Sequence, residues 1–180
     1  MKFCSECGSS VIWRTPAGDD RKRYICDSCD TIHYQNPRVI TGCLPIHEDK
    51  VLLCKRAIEP KFGLWTLPAG FLENGETSVE GAVRESWEEA RTNLSINQLY
   101  TLFNLPHINQ LYLFYHATLT DTSFAAGPES LDVALFKEDD VPWETLAFPV
   151  VKRTLEHYFN DRKSGEFIFR TEVINPCQKP

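Results

Sequence analysis

The sequence predicts an α+β protein: a mixed sheet sandwiched between helices, preceded by a small metal-stabilised module. Three observations carry this. Paired cysteines are confined to the first 36 residues. After Asn36-Pro37 long apolar runs begin, and strand-like and helical patterns follow in an order that places helices on both sides of a sheet. The composition, 42% hydrophobic and 24% charged, is that of a globular protein. At 180 residues the chain can hold one ordinary domain plus an appendage. The expected division is 1–36, a small module; 37–165, the main domain; and 166–180, a C-terminal tail.

In the first segment, Cys4-x-x-Cys7 and Cys26-x-x-Cys29 are two turns of the kind that present both thiolates to one ion. Four sulfurs suit a closed, structural Zn²⁺ site. So small a module lacks a self-sufficient core, and metal would stabilise it. Cys43, Cys54 and Cys177 have no such spacing, and the first two read as core residues.

Arg38–Leu44 and Val51–Arg56 read as strands joined by a turn at His47-Glu48-Asp49-Lys50. Residues 60–77, with Gly63, Gly70, Gly75 and two prolines, read as loop. A helix is expected from Ser78 to Ala90, opened by a capping box of Thr77 and Glu80. On it Val79, Ala82, Val83, Ser86 and Ala90 gather on one face, while Glu85, Glu88 and Glu89 point away. Strands follow at Leu99–Phe103, Leu111–Leu119 and Val133–Phe136, then a helix from Pro149 to Arg162. Phe167–Ile174 is strand-like but finds no place in this scheme.

The chemistry lies around the first helix. Three carboxylates within one turn repel one another unless a cation sits among them. Divalent metal with oxygen ligands is the natural occupant, and Mg²⁺ keeps open positions for phosphates. Gly70-Phe-Leu-Glu-Asn-Gly-Glu76, seven residues, then Arg84-Glu85-Ser86-Trp87-Glu88-Glu89 resembles the Nudix box at every charged position. Gly63-Leu-Trp65-Thr-Leu-Pro68-Ala-Gly70 resembles the usual approach to that box. With the paired cysteines, the chain looks like a zinc-ribbon Nudix hydrolase.

That resemblance implies a Nudix-type α/β/α sandwich with a mixed sheet. It implies that Glu85, Glu88, Glu89 and the Ala69 carbonyl bind Mg²⁺ or Mn²⁺, and that Glu76 and Arg84 form a structural ion pair. The loop Gly127-Pro-Glu129-Ser-Leu-Asp132 would supply a fourth acid, Glu129 in preference to Asp132. The base would be Glu85 or Glu129. Lys55 and Arg56 could hold phosphate oxygens, or simply face solvent. Trp65, Phe71 and Trp143 could stack on a base, or belong to the core. Three box positions depart from the pattern: Ser86 and Thr92 replace apolar residues, and Arg91 replaces a helix-ending glycine, which leaves Asn93 as an alternative, later end of the helix.

The implied activity is hydrolysis of the pyrophosphate in a nucleoside diphosphate linked to another group, with ADP-ribose, FAD or a related dinucleotide as substrate. NADH pyrophosphatases of this class carry a Ser-Gln-Pro-Trp-Pro-Phe-Pro stretch, whereas Phe103-Asn-Leu-Pro106-His107-Ile-Asn-Gln110 keeps one proline. Two rivals stand: a non-catalytic nucleotide sensor, and a hydrolase of nucleotide-capped RNA. The net charge of −6 argues against a nucleic-acid or membrane partner. The partner expected is a small-molecule nucleotide, with a homodimer as one possible assembly. With no apolar segment of membrane-spanning length and no apolar leader, the expected location is cytoplasmic.

Overall fold

The computed structural model describes residues 1–175; Cys177 and the end of the tail lie outside them. Its chain forms two compact units, one spanning Met1–Pro37 and the other beginning at Arg38.

In the first unit, β1 (Val11–Arg14), β2 (Arg23–Cys26) and β3 (Ile32–His33) form an antiparallel sheet in that order. Ile25, Cys4 and Cys26 are buried, but Phe3, Trp13 and Tyr34 stand exposed. Its apolar interior is correspondingly small.

The second unit contains β4 (Arg38–His47), β5 (Lys50–Arg56), β6 (Trp65–Thr66), β7 (Ala69–Phe71) and α1 (Ser78–Ala90). It continues with β8 (Leu94–Leu105), β9 (Gln110–Leu119), β10 (Ser130–Phe136), α2 (Pro149–Asp161) and β11 (Arg170–Val173). The sheet runs β10-β5-β4-β9-β8-β11, with β6 added to β5 and β7 to β4. β4 pairs parallel to β9 and antiparallel to β5, so the sheet is mixed. Among the described residues no helix is long and apolar enough to cross a membrane.

Alternation along β4 divides the core between two helices. Cys43 packs with Ala82 of α1, Tyr115 and Ala117. Leu44 and Ile46 face the other way, into a cluster with Val150, Val151 and Leu155 of α2. Helices therefore cover both faces. Leu44, Leu53, Leu67 and Leu155 are wholly buried in the α2 layer, each stabilising the fold by roughly 2 kcal/mol.

Several elements differ from the sequence expectation. β8 begins at Leu94, not Leu99, because the polar residues Ser95 and Gln98 pair with Thr118 and His116 of β9, across an irregular register at Asn97 that no apolar pattern reveals. The glycine-bearing loop contains two short strands, β6 and β7. The strand-like end of the tail is β11, parallel to β8 at the sheet edge.

The helix α1 keeps its expected limits, but its buried face is rotated. Gly81, Ala82, Ser86, Glu89 and Ala90 face inward. Val79 and Val83 are 39% and 37% exposed, and Glu89 is only 6% exposed. The sheet approaches closely enough to select small side chains, and the larger apolar ones turn outward.

Candidate active site

The four cysteines of the first unit bring their Sγ atoms within 4.8 Å of one another. Sulfurs around one Zn²⁺, at bonds of about 2.3 Å and tetrahedral angles, lie about 3.8 Å apart. Cys4 to Cys29 is 3.7 Å and Cys7 to Cys26 is 3.4 Å, so the donor set fits. His33 Nε2 lies 3.3 Å from Cys4 Sγ, where a ring N–H can support a thiolate ligand.

In the second unit, α1 is fixed at its start by the reciprocal cap. Glu80 N–H donates to Thr77 Oγ1 at 3.2 Å, and Thr77 N–H donates to Glu80 Oε2 at 2.7 Å. The Thr41 hydroxyl donates to the Ser78 carbonyl at 2.7 Å, tying the helix start to the sheet. Arg84 then gathers the acids: it donates to Glu76 at 2.7 and 3.0 Å, to Glu85 at 2.7 Å and to Glu88 at 3.1 Å. The Arg84 guanidinium beside Glu76 brings that carboxyl down to about 2. Arg84 also reaches the Phe71 carbonyl, so one side chain binds loop and helix together.

Glu89 stands apart from that cluster. Its Oε2 is buried and has no hydrogen-bond partner. Burial, then the nearby Glu85 charge, pushes its carboxyl up to about 8. Burial likewise raises Glu85, against the pull of Arg84. An orphaned buried carboxylate oxygen calls for a partner, and a divalent cation is one of the few that fits. The carboxylates do not converge as the thiolates do: among the described residues only the cysteines form a close cluster of ligand atoms.

Two glycines allow the surrounding backbone to approach. A Cβ on Gly70 would fall 2.3 Å from the Glu85 carboxyl carbon, so only glycine leaves that carboxylate its place. A Cβ on Gly127 would fall 1.7 Å from the Glu88 carbonyl oxygen. Without one, Gly127 N–H donates to the Glu89 carbonyl and Ala125 N–H to the Ala90 carbonyl, both at 2.9 Å. The loop thus satisfies carbonyls at the end of α1 that the helix leaves open, and carries Glu129 to the acids.

These residues edge a cavity of about 870 Å³. Ala69, Glu85, Glu88, Glu89 and Glu129 line it, as does Arg56, but Lys55 does not. Neighbours on a strand point to opposite faces, so only one of the two basic residues can reach it. Lys55 instead lies over the Trp65 ring at 5.9 Å. Of the three aromatic candidates, Phe71 lines the cavity, whereas Trp65 packs on Phe136 and Trp143 on Phe159. The sequence reading missed Tyr112, Phe114 and Phe148, which line the same space. They lie in or beside strongly apolar runs, where nothing marks a cavity-lining aromatic from a core one. Asp132 sits opposite Lys55 on β10, away from the cavity.

Residues 36–158 match the NUDIX domain family, and residues 2–35 match its N-terminal module, described as Nudix N-terminal. The chain belongs to the Nudix family. A NUDIX hydrolase from Nitrosomonas europaea is 53% identical, with a TM-score of 0.95 over 98% of this chain and 100% of that one. The NAD-capped RNA hydrolase NudC of Stutzerimonas stutzeri is 28% identical over 89% of this chain. This chain spans about 57% of that relative's length. An ADP-ribose pyrophosphatase from Streptococcus suis shares the fold, with a TM-score of 0.59 at 21% identity over 77% of this chain and all of that one.

Two of the three departures from the Nudix box are absorbed locally. Ser86 donates to the Ala82 carbonyl at 2.8 Å, satisfying its buried hydroxyl within the helix. The Thr92 hydroxyl is buried without a partner. Arg91 itself adopts the left-handed conformation, with φ 49°, and its N–H donates to the Trp87 carbonyl. The helix therefore ends at Ala90 and does not continue to Asn93.

Proposed function

We propose that the protein is a divalent-metal-dependent pyrophosphohydrolase. It cleaves the pyrophosphate of a nucleoside diphosphate linked to another moiety, such as ADP-ribose or FAD, and releases a nucleoside monophosphate. The observation that carries this is Glu89: an inward carboxylate with an unpartnered oxygen, on the wall of a cavity shared with Glu85, Glu88 and Glu129. A solvated acidic face would not bury one of its members.

Glu85, Glu88, Glu89 and the Ala69 carbonyl would hold Mg²⁺ or Mn²⁺. When bound, the metal supplies charge neutralisation on phosphoryl oxygens and lowers the pKa of water. Arg56, in the cavity wall, orients a phosphate oxygen. Glu76 and Arg84 hold the glycine loop against α1, so that the ligand carboxylates keep their places. Glu85 is occupied by Arg84, which leaves Glu129 to take the proton from the attacking water. The four cysteines hold one structural Zn²⁺, and such thiolates persist in a reducing compartment such as the cytoplasm.

A second reading, hydrolysis of nucleotide-capped RNA, draws support from the similarity to NudC. The chain's net charge of −6 weighs against it, because RNA backbone binding needs cationic neutralisation. Initial rates with Mg²⁺ or Mn²⁺ on ADP-ribose, FAD, NADH, diadenosine polyphosphates, dGTP and NAD-capped RNA separate the readings. The expected result is AMP release from the dinucleotides at the highest kcat/KM. Preference for dGTP overturns the proposal, and preference for capped RNA favours the second reading.

A further inference from the structure

The NUDIX match ends at residue 158, yet the cavity does not. Beyond α2 the chain returns to the sheet as β11, which runs parallel to β8 with Arg170 opposite Thr101 and Val173 opposite Asn104. Parallel strands end on the same side. β8 ends at Leu105, which lines the cavity, so β11 delivers the residues after it to that rim. Ile174 N–H donates to the Asn104 carbonyl at 2.9 Å, and both Ile174 and Asn175 line the cavity.

This segment is held firmly from two sides. Arg170 makes two bonds of 2.6 Å to Asp161 at the end of α2, and the Tyr100 hydroxyl donates to the same carboxylate at 2.8 Å. Glu172 accepts from Arg153 at 3.1 Å twice and lies 2.5 Å from His157 Nε2. Asn104 reaches the Glu172 carbonyl, and Gln98 Nε2 donates to the Phe167 carbonyl at 2.6 Å. A strand anchored in this way is a fixed wall and not a lid, and a preformed wall binds without an ordering cost.

The wall has a defined chemistry. Ile174 packs against the apolar cluster that holds Leu105 and Phe114, on which Tyr112 and Phe148 also pack, and all of these line the cavity together with Asn175. Among the described lining residues, the arginines Arg56, Arg84 and Arg91 lie at the end of β5, within α1 and just after α1, while His107 and Gln110 stand between β8 and β9 and at the start of β9. Aromatic and aliphatic side chains with a neutral amide among them suit a flat, uncharged heterocycle. We infer that Ile174 and Asn175 are specificity-determining residues, forming with Tyr112 and Phe148 the pocket for the nucleobase-type ring of the substrate. This rests on the proposed function for the site, but is tested by binding alone.

The full-length protein is titrated by calorimetry with AMP and, separately, with ribose 5-phosphate, which has the same phosphate and sugar but no ring. Wild type should bind AMP more tightly than ribose 5-phosphate. Ile174→Ala should weaken AMP roughly tenfold and leave ribose 5-phosphate unchanged, as expected for a lost apolar contact. Because Ile174 also packs against the core, Ile174→Val and the exposed Asn175→Ala are measured beside it, with melting curves; each should weaken AMP a few-fold. Equal loss for both ligands, no loss for AMP in all three variants, or no AMP preference in wild type overturns the inference. Selective AMP binding without hydrolysis of any dinucleotide would instead defeat the proposed activity and leave the ring pocket standing.

Discussion

At Glu89 a single carboxylate meets two opposed demands. Burial favours its neutral form, whereas metal ligation needs its charge. The metal-free protein resolves this by holding a proton, with the carboxyl at about 8. Its folded pKa lies above the ordinary 4.5, so the stabilising contribution is complete below about pH 4.5 and is lost as pH rises towards 8. Glu89→Gln keeps the shape and removes the titration. Its kcat at saturating Mg²⁺ should fall by roughly two to three orders of magnitude, in the range seen when one electrostatic stabiliser is lost. Without metal its melting temperature should match wild type near pH 5 and exceed it at pH 9. A variant that melts early at pH 9 yet turns over near the wild-type rate would remove Glu89 from the metal site. The spacing of Glu85, Glu88 and Glu89 was legible in the sequence because three acids in one turn are costly. The burial of one of them was not, since it depends on the loop at Gly127 closing over the end of α1.

At the scale of the element, α1 shows where periodicity helps and where it misleads. Its limits follow from local chemistry: a capping box at Thr77 and a left-handed residue at Arg91. Its inward face does not, because helical periodicity marks which residues are apolar and not how near the neighbouring layer lies. Val79 and Val83 are pushed outward, and Glu89 is drawn in. Arg91 at φ 49° bears a strain that glycine lacks, partly offset by its guanidinium 5.7 Å from the centre of the Trp87 ring. Arg91→Gly should therefore stabilise the protein by about 0.5–1 kcal/mol, read as a higher denaturation midpoint at unchanged slope. A lower midpoint would mean that the stacking outweighs the backbone strain. The same limit explains β8 and β11. Their pairing joins residues about 70 positions apart, and no local pattern announces a parallel partner at that distance.

Across the whole molecule, the two units differ in what holds them. The second has two helix layers over a sheet and a core of wholly buried leucines and aromatics. In the first, Ile25, Cys4 and Cys26 supply the buried apolar surface, with Trp13 and Phe3 left in solvent. Its fold must lean on the ion its thiolates would share. Cysteine spacing carries the expectation of a metal-held first module, whereas the strand order of the main sheet, with β4 between β5 and β9, leaves no mark in the sequence. Removal of zinc should then act on one unit alone. The purified protein should hold one zinc per chain, lost in the Cys4→Ser/Cys26→Ser double variant. In that variant, hydrogen exchange should speed up by orders of magnitude across β1, β2 and β3, because unfolded amides exchange freely. The amides of β4, β9 and α2 should keep their protection, since no thiolate ligand supports them. Zinc retained by the double variant would dismiss the four-cysteine site. Exchange that rises equally in both units would show that the main domain, too, depends on the metal.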